Sequence, residues 1–97
     1  MPIFIKTELI KKEYLNNKVL RKKIVYEHKE WVKRLLETGI NIKSGFLVDE
    51  YKKPGSGGFL IVEMKTFKDA LEIIKDDPMI KNNIVEWKLN EWIDINQ

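Results

Sequence analysis

Two residues of this chain, His28 and Asp77, combine side-chain types that can do acid–base chemistry, and His28 is its only histidine. On a helical wheel His28 lies near the middle of the apolar arc of its predicted helix, and Asp77 lies inside the apolar arc of the next one. A carboxylate bonded to one imidazole nitrogen fixes the tautomer and frees the other nitrogen for general acid–base chemistry. The alternative interpretation is a hydrogen-bonded core histidine and a turn-forming aspartate.

The predicted position of Asp77 is itself unusual. Pro78 disfavours the helical conformation in the residue before it, so the second helix is predicted to end at Asp77. The C-terminal end of a helix carries partial negative charge, which makes an acid there unfavourable. We expect a nearby cation or a functional role to compensate, and His28 would serve.

Ser44, Phe46 and Trp31 are the predicted pocket residues. Ser44 faces the first helix if the second strand alternates as its sequence indicates, and Phe46 follows two residues later on the same face. Trp31 lies one helical turn after His28. Nothing marks Ser44 as a nucleophile. One histidine and no cysteine do not supply the ligands of a structural metal site. We expect neither metal nor cofactor.

The elements that position these residues follow from periodicity and from glycine and proline signals. We predict strands over 3–9, 42–49, 59–64 and 84–92 and a glycine-rich hairpin loop over 52–58. The first helix is predicted to follow the turn signal at Asn16-Asn17 and to stop at Gly39, and the second to extend over 66–77. The order βαββαβ predicts one α+β, ferredoxin-like domain over residues 1–97, with a four-stranded antiparallel sheet and both helices on one face. The apolar third strand requires cover on both faces, which favours a homodimer packed sheet to sheet.

Composition limits the partners. The net charge of +3 is carried almost wholly by lysine, Arg21 and Arg34 being the only arginines. The third strand has Ile61 and Met64 where an RNA-recognition domain places aromatic rings, so no nucleic-acid partner is expected. The basic stretch 11–23 is interpreted as a solvated helix entrance, with a phosphate-binding patch as its alternative. With no signal-peptide pattern and no apolar run of membrane length, we expect a cytoplasmic protein without a membrane partner.

Several residues in this order resemble the YciI-like, or YCII-related, proteins of the dimeric α/β-barrel group. The matching features are His28, Gly39, Gly45, Gly58-Phe59-Leu60, Asp69-Ala70, Asp77-Pro78 and Trp92. Two departures are Phe46, where the family commonly has proline after the glycine, and Asn90-Glu91-Trp92, where a basic-Pro-aromatic run is usual. The resemblance implies a sheet-to-sheet dimer with a His–Asp site in each protomer, formed here by His28 and Asp77. It also implies eliminations and isomerisations on small, often aromatic or lactone-like compounds.

The leading hypothesis is therefore a small-molecule enzyme that uses His28 and Asp77 for elimination, isomerisation or hydrolysis. The competing hypothesis is a non-catalytic module that binds a small ligand or only dimerises. It predicts that substitution of His28 changes stability and leaves any response to ligands unchanged.

Overall fold

The computed structural model describes residues 1–96 and contains the predicted order of strands and helices. The elements, in chain order, are β1 (Ile3–Ile10), α1 (Lys18–Glu37), β2 (Ile42–Val48), β3 (Pro54–Glu63), α2 (Phe67–Ile74), α3 (Pro78–Lys81) and β4 (Val85–Trp92). A 3-10 helix, Lys12–Tyr14, joins β1 to α1.

The sheet has the order β2-β3-β1-β4, and all of its neighbouring strands are antiparallel. Strand β1 is central, and Lys6 lies opposite Leu60 on β3 and Leu89 on β4. This strand order confirms the predicted α+β, ferredoxin-like fold. It also places the middle of β1 beneath the helices.

Helix α1 begins and ends where its sequence signals indicate. The side chain of Asn17 accepts a hydrogen bond from the backbone N–H of Leu20 at 3.1 Å and caps the first turn. Gly39 follows the helix with φ of 90°, the left-handed conformation that favours glycine. Between these ends, Ile24 and Trp31 are buried against the sheet.

The space between helices and sheet contains two hydrophobic clusters. The larger buries residues of α1, α2 and the first three strands: Phe4, Trp31, Ile42, Leu60, Val62, Ala70 and Ile74. The smaller lies towards α3 and the start of β4, and it contains Ile24, Met79, Ile84 and Val85. Burial of these side chains holds all three helices on one face of the sheet.

The prediction for the glycine-rich segment was wrong in extent. Residues 54–58 are the first part of β3, and the turn lies before them, where the Asp49 side chain accepts hydrogen bonds from the backbone N–H groups of Tyr51 and Lys53. Lys52 takes the left-handed conformation of that turn, with φ of 63°. Because an Asx turn closes the hairpin, the glycines are free to continue the strand.

The predicted end of the second helix was also wrong. Helix α2 ends at Ile74, and Asp77 is the N-terminal cap of a separate short helix, α3, with Pro78 as its first residue. Proline suits that position because it lacks only an N–H that the first turn leaves unbonded. Asp77 therefore does not face the C-terminal end of a helix.

Candidate active site

A chain of polar side chains crosses the interior between α1 and the sheet. His28 on α1 contacts Asp77 before α3 and Ser44 on β2, and Asp77 also contacts Lys6 on β1. Periodicity places His28 and Ser44 on inward faces of their elements, as predicted. The structure thus brings together three of the residues singled out in the sequence and adds one that was not.

Asp77 is the centre of this site and is fully buried. Its Oδ1 accepts from His28 Nδ1 at 2.7 Å and from the backbone N–H of Met79 at 2.9 Å, while its Oδ2 accepts from Lys6 Nζ at 2.6 Å. Every one of these partners favours the ionised carboxylate. The carboxylate is consequently held in a single orientation.

The pKa of Asp77 reflects two opposing effects. Burial alone would raise it, but the hydrogen bond from His28 and the positive charge of Lys6 outweigh burial and hold the pKa of the carboxyl below 3.8. Asp77 is therefore a carboxylate at neutral pH. It accepts hydrogen bonds and does not donate them.

This ionisation fixes the roles of the two nitrogens of His28. Because Asp77 only accepts, His28 Nδ1 carries the hydrogen, and in neutral imidazole Nε2 is then the acceptor. His28 Nε2 lies 2.7 Å from Ser44 Oγ, so the Ser44 hydroxyl donates to it in this tautomer. The His28 side chain is 13% exposed, and Ser44 is on the exposed side of the contact. His28 Nε2 therefore faces the exposed surface beside Ser44.

The other two predicted pocket residues are placed differently. Trp31 is buried in the larger hydrophobic cluster. Its ring centroid lies 5.6 Å from that of His28, so the indole packs beside the imidazole. Phe46 is 70% exposed on β2, two residues beyond Ser44. It lies on the same face of β2 as Ser44, where its ring is open to solvent.

Lys6 and Glu8 were missed as members of the site. Lys6 Nζ pairs with Glu8 Oε1 as well as with Asp77, and both side chains are buried or nearly so. A signal was present, because Lys6 and Glu8 alternate in phase with Phe4. The opposite face of β1, with Ile3 and Ile5, looks more apolar and therefore resembles the interior.

Two shallow concavities lie away from this site. One, of about 410 Å³, is on the outer face of α1 around Arg21 and Tyr26, and the other, of about 460 Å³, is between α1 and α3 around Arg34. Neither is lined by His28 or Ser44. Among residues 1–96, no cluster of three or more histidine and acidic side chains is arranged to hold a metal ion.

Comparison with known proteins identifies the fold. Among solved structures, the chain is similar to 5-chloro-2-hydroxyhydroquinone dehydrochlorinase (TftG) from Burkholderia phenoliruptrix AC1100, in complex with 2,5-dihydroxybenzoquinone. The identity is 17%, the TM-score 0.72, and the match covers 97% of this chain and 96% of that one. The de novo designed protein Ferredog-Diesel is also similar, at 13% identity and a TM-score of 0.55, covering 93% of this chain and 84% of the design.

These structural matches show a ferredoxin-like α+β fold that extends over nearly the whole chain. At such low identity they show the fold alone. No protein-family model and no curated protein matches the sequence. In the described part of the chain, no helix has the length and apolar character needed to span a membrane.

Proposed function

We propose that this protein is a small-molecule enzyme in which His28 acts as general acid or base and Asp77 orients it. The observation that carries the proposal is the pair of 2.7 Å contacts on opposite nitrogens of one imidazole, buried on the Asp77 side and open on the Ser44 side. A base that a carboxylate orients and whose other nitrogen faces an exposed surface is an arrangement that suits proton transfer.

The chemistry follows from the tautomer. A substrate that binds beside Ser44 displaces or shares the hydrogen bond of the Ser44 hydroxyl, and His28 Nε2 takes a proton from the substrate. The resulting imidazolium is stabilised by the adjacent carboxylate of Asp77, and the same Nε2–H then returns the proton to another atom of the substrate or to a leaving group. Isomerisation needs only this transfer. In an elimination, the electron pair of the bond that loses its proton forms the new double bond, and the leaving group departs with the electrons of its own bond to carbon.

The similarity to a dehydrochlorinase supports elimination as the class of reaction. That enzyme acts, by its name, on a chlorinated hydroxyhydroquinone, and its structure contains 2,5-dihydroxybenzoquinone. Hydroxylated aromatic or quinone-like compounds are therefore the first ligands to try here. We also infer that the chain is a YciI-like protein, on the features from His28 to Trp92 set out above.

A homodimer packed through the open sheet face completes the proposal. That face carries Ile3, Ile5, Phe59 and Ile61 near its centre, all only partly covered within one chain. Lys43 and Lys88 lie nearer its sides. An apolar centre with a charged rim is the usual anatomy of an isologous interface.

The first experiment is an NMR titration of the His28 imidazole, which is unambiguous because the chain has one histidine. Removing the charge in Asp77→Asn should move the titration midpoint to lower pH by on the order of one unit, since the imidazolium loses its carboxylate. Asp76→Asn, which alters the exposed neighbouring acid, is the matched control. A midpoint that Asp77→Asn leaves in place would contradict the proposed pair.

A ligand experiment tests the catalytic role. Thermal shift with 2,5-dihydroxybenzoquinone should show stabilisation of the wild-type protein that is reduced in Ser44→Ala. Chloride release from a chlorinated hydroxyhydroquinone should be lost in His28→Ala. Turnover that His28→Ala leaves unchanged would refute the role of His28.

The competing function is a non-catalytic ligand-binding or dimerisation module. The observation that favours it is that both nitrogens of His28 are already bonded within the protein, as in a structural histidine. This function requires ligand binding to persist unchanged in His28→Ala and Asp77→Asn. Thermal shift with the same ligand in these two variants therefore distinguishes the two hypotheses.

A further inference from the structure

The proposed function uses His28, Asp77 and Ser44 but leaves unexplained two buried charges beside them. The side chain of Lys6 is 1% exposed and that of Glu8 is 8% exposed, in the centre of β1 under the helices. Lysine and glutamate are almost never buried to this degree unless they are paired. Each therefore has a reason to be there that the pair of His28 and Asp77 alone does not supply.

Lys6 is bonded to both carboxylates of the site. Its Nζ donates to Asp77 Oδ2 at 2.6 Å and to Glu8 Oε1. Because His28 occupies the other oxygen of Asp77, the four side chains form a continuous line from Glu8 through Lys6 and Asp77 to His28. Short, poorly solvated contacts therefore connect the charges of Glu8 and Lys6 to the imidazole at the other end of the line.

Gly58 makes the position of Glu8 possible. It lies directly opposite Glu8 where β1 pairs with β3, and a Cβ added to Gly58 would approach Glu8 Cγ to 2.9 Å and Cδ to 3.1 Å. The glutamate side chain therefore lies across strand β3 in space that any other residue would fill. This close fit indicates a Glu8 position that is built into the sheet.

The charges of the line do not balance without a proton. Lys6 contributes one positive charge, whereas Glu8 and Asp77 contribute two negative charges, so the line carries a net charge of −1 when the imidazole is neutral. Protonation of His28 brings the total to zero. Buried charges are costly unless they are compensated.

We propose that Lys6 and Glu8 are positioning residues that set the proton affinity of His28 through Asp77, with opposite signs. Lys6 holds Oδ2 so that Oδ1 faces His28, and its charge favours release of the imidazole proton. Glu8 anchors Lys6 and offsets that charge. The proposal rests on the proposed function, because it assigns these residues to the proton transfer made by His28.

The other groups packed around His28 leave few alternatives. Among residues 1–96, α2 faces this layer with Ala70 and Ile74, and β3 and β4 contribute Leu60 and Trp87. Strand β2 contributes Ser44. On α1 itself, the sequence neighbours of His28 are Glu27, which is half-buried, and Lys29, which is exposed. Asp77 is the ionisable group from another element that contacts His28, and Lys6 and Glu8 follow it along the line.

The test is the NMR titration of His28 in Lys6→Met and Glu8→Gln, recorded with the wild-type protein. Lys6→Met should move the midpoint to higher pH and Glu8→Gln to lower pH, each by on the order of one unit. The controls are Lys43→Met and Glu86→Gln, which remove the same charges from the exposed opposite face of the sheet and should leave the midpoint in place.

Midpoint shifts of opposite sign in the two variants would establish the proposal. Shifts of the same sign in both variants, or a midpoint that stays in place in one or both of them, would overturn it. A merely structural role would lower the denaturation midpoint of both variants without opposite titration shifts. If Lys6→Met fails to fold, the double variant with Glu8→Gln removes one charge of each sign. Comparing this double variant with Glu8→Gln alone then isolates the effect of Lys6, and equal midpoints in the two would overturn the proposal.

Failure of this proposal is distinguishable from failure of the proposed function. A midpoint that moves in Asp77→Asn but in neither Lys6→Met nor Glu8→Gln keeps the catalytic pair and removes its extension. A midpoint unmoved in Asp77→Asn removes the pair itself.

Discussion

The two faces of the sheet do not follow the simple rule that apolar residues are buried and charged residues are exposed. On the helix-covered face, Lys6 and Asp77 are charged and almost inaccessible to water, whereas on the opposite face Ile5 and Ile61 lie side by side with no helix above them. The covered face has charges where packing alone would select aliphatic residues. The open face has aliphatic residues where solvent would select charges.

This contrast shows that the two faces need different explanations. Buried ion pairs contribute little net stability compared with hydrophobic replacements, but breaking one is costly because the partner remains uncompensated. Exposed apolar surface is costly in a monomer and favourable in an assembly. The charges of the covered face fit the proposed site, and the aliphatic residues of the open face fit the proposed dimer.

The largest expected effect comes from a substitution that disrupts the buried charges of the covered face. Asp77→Ala removes the partner of Lys6 and His28 together with the cap of α3, so the free energy of unfolding should fall by about 3–5 kcal/mol. Urea unfolding followed by far-UV circular dichroism measures it. Asp76→Ala, its exposed neighbour in the sequence, should stay within about 0.5 kcal/mol of the wild type. Equal losses in the two variants would show that the buried network is energetically unimportant.

The next effect breaks the open face. Ile5→Lys places a charge at the centre of the proposed interface, and the dissociation constant of the dimer should rise about 100-fold or more, equivalent to about 2.7 kcal/mol. Sedimentation equilibrium measures this change. The control is Val19→Lys, at a site that is 83% exposed on α1, and it should leave the dimer intact. A wild-type protein that remains monomeric at high micromolar concentration would contradict the assignment of this face.

A smaller effect separates the charge of Asp77 from its packing. Its pKa is lower in the folded protein than in the unfolded chain, so its stabilising contribution is complete above pH 3.8 and is lost as the pH falls through the folded value. The wild-type protein should therefore lose stability below pH 3.8 more steeply than Asp77→Asn. Denaturant unfolding at pH 7, 4 and 3 measures the two slopes. Parallel slopes would mean that the carboxylate is not preferentially ionised in the folded state.

The sequence was most informative where local periodicity and tertiary structure agree. The helical wheel placed His28 inward because one face of α1 must cover the sheet, and glycine and proline signals separated the elements. The inward position of Ser44 was predicted from the alternation of side chains along β2. These features depend on neighbours within a few residues, which a single sequence displays.

The missed features depend on contacts that are distant in the sequence. Strand alternation shows that Lys6 lies on the opposite side of β1 from Ile5, but it does not show which side the helices cover. Lys6 becomes tolerable inside only because Asp77, 71 residues later, meets it there. In the sequence, Pro78 is compatible either with the end of one helix or with the first residue of another, and the capping contact of Asp77 decides for the second.

The smallest expected effect concerns the boundary of the covered face at Ser44. Ser44→Ala removes a hydroxyl from His28 Nε2 at an exposed position, where water can replace it, so the free energy of unfolding should change by less than about 1 kcal/mol. The tautomer should persist because Asp77 fixes it from the other nitrogen, and the ¹⁵N shifts of the imidazole measure this directly. A switch of the hydrogen to Nε2 in Ser44→Ala would show that Ser44, and not the buried line of charges, determines the state of His28.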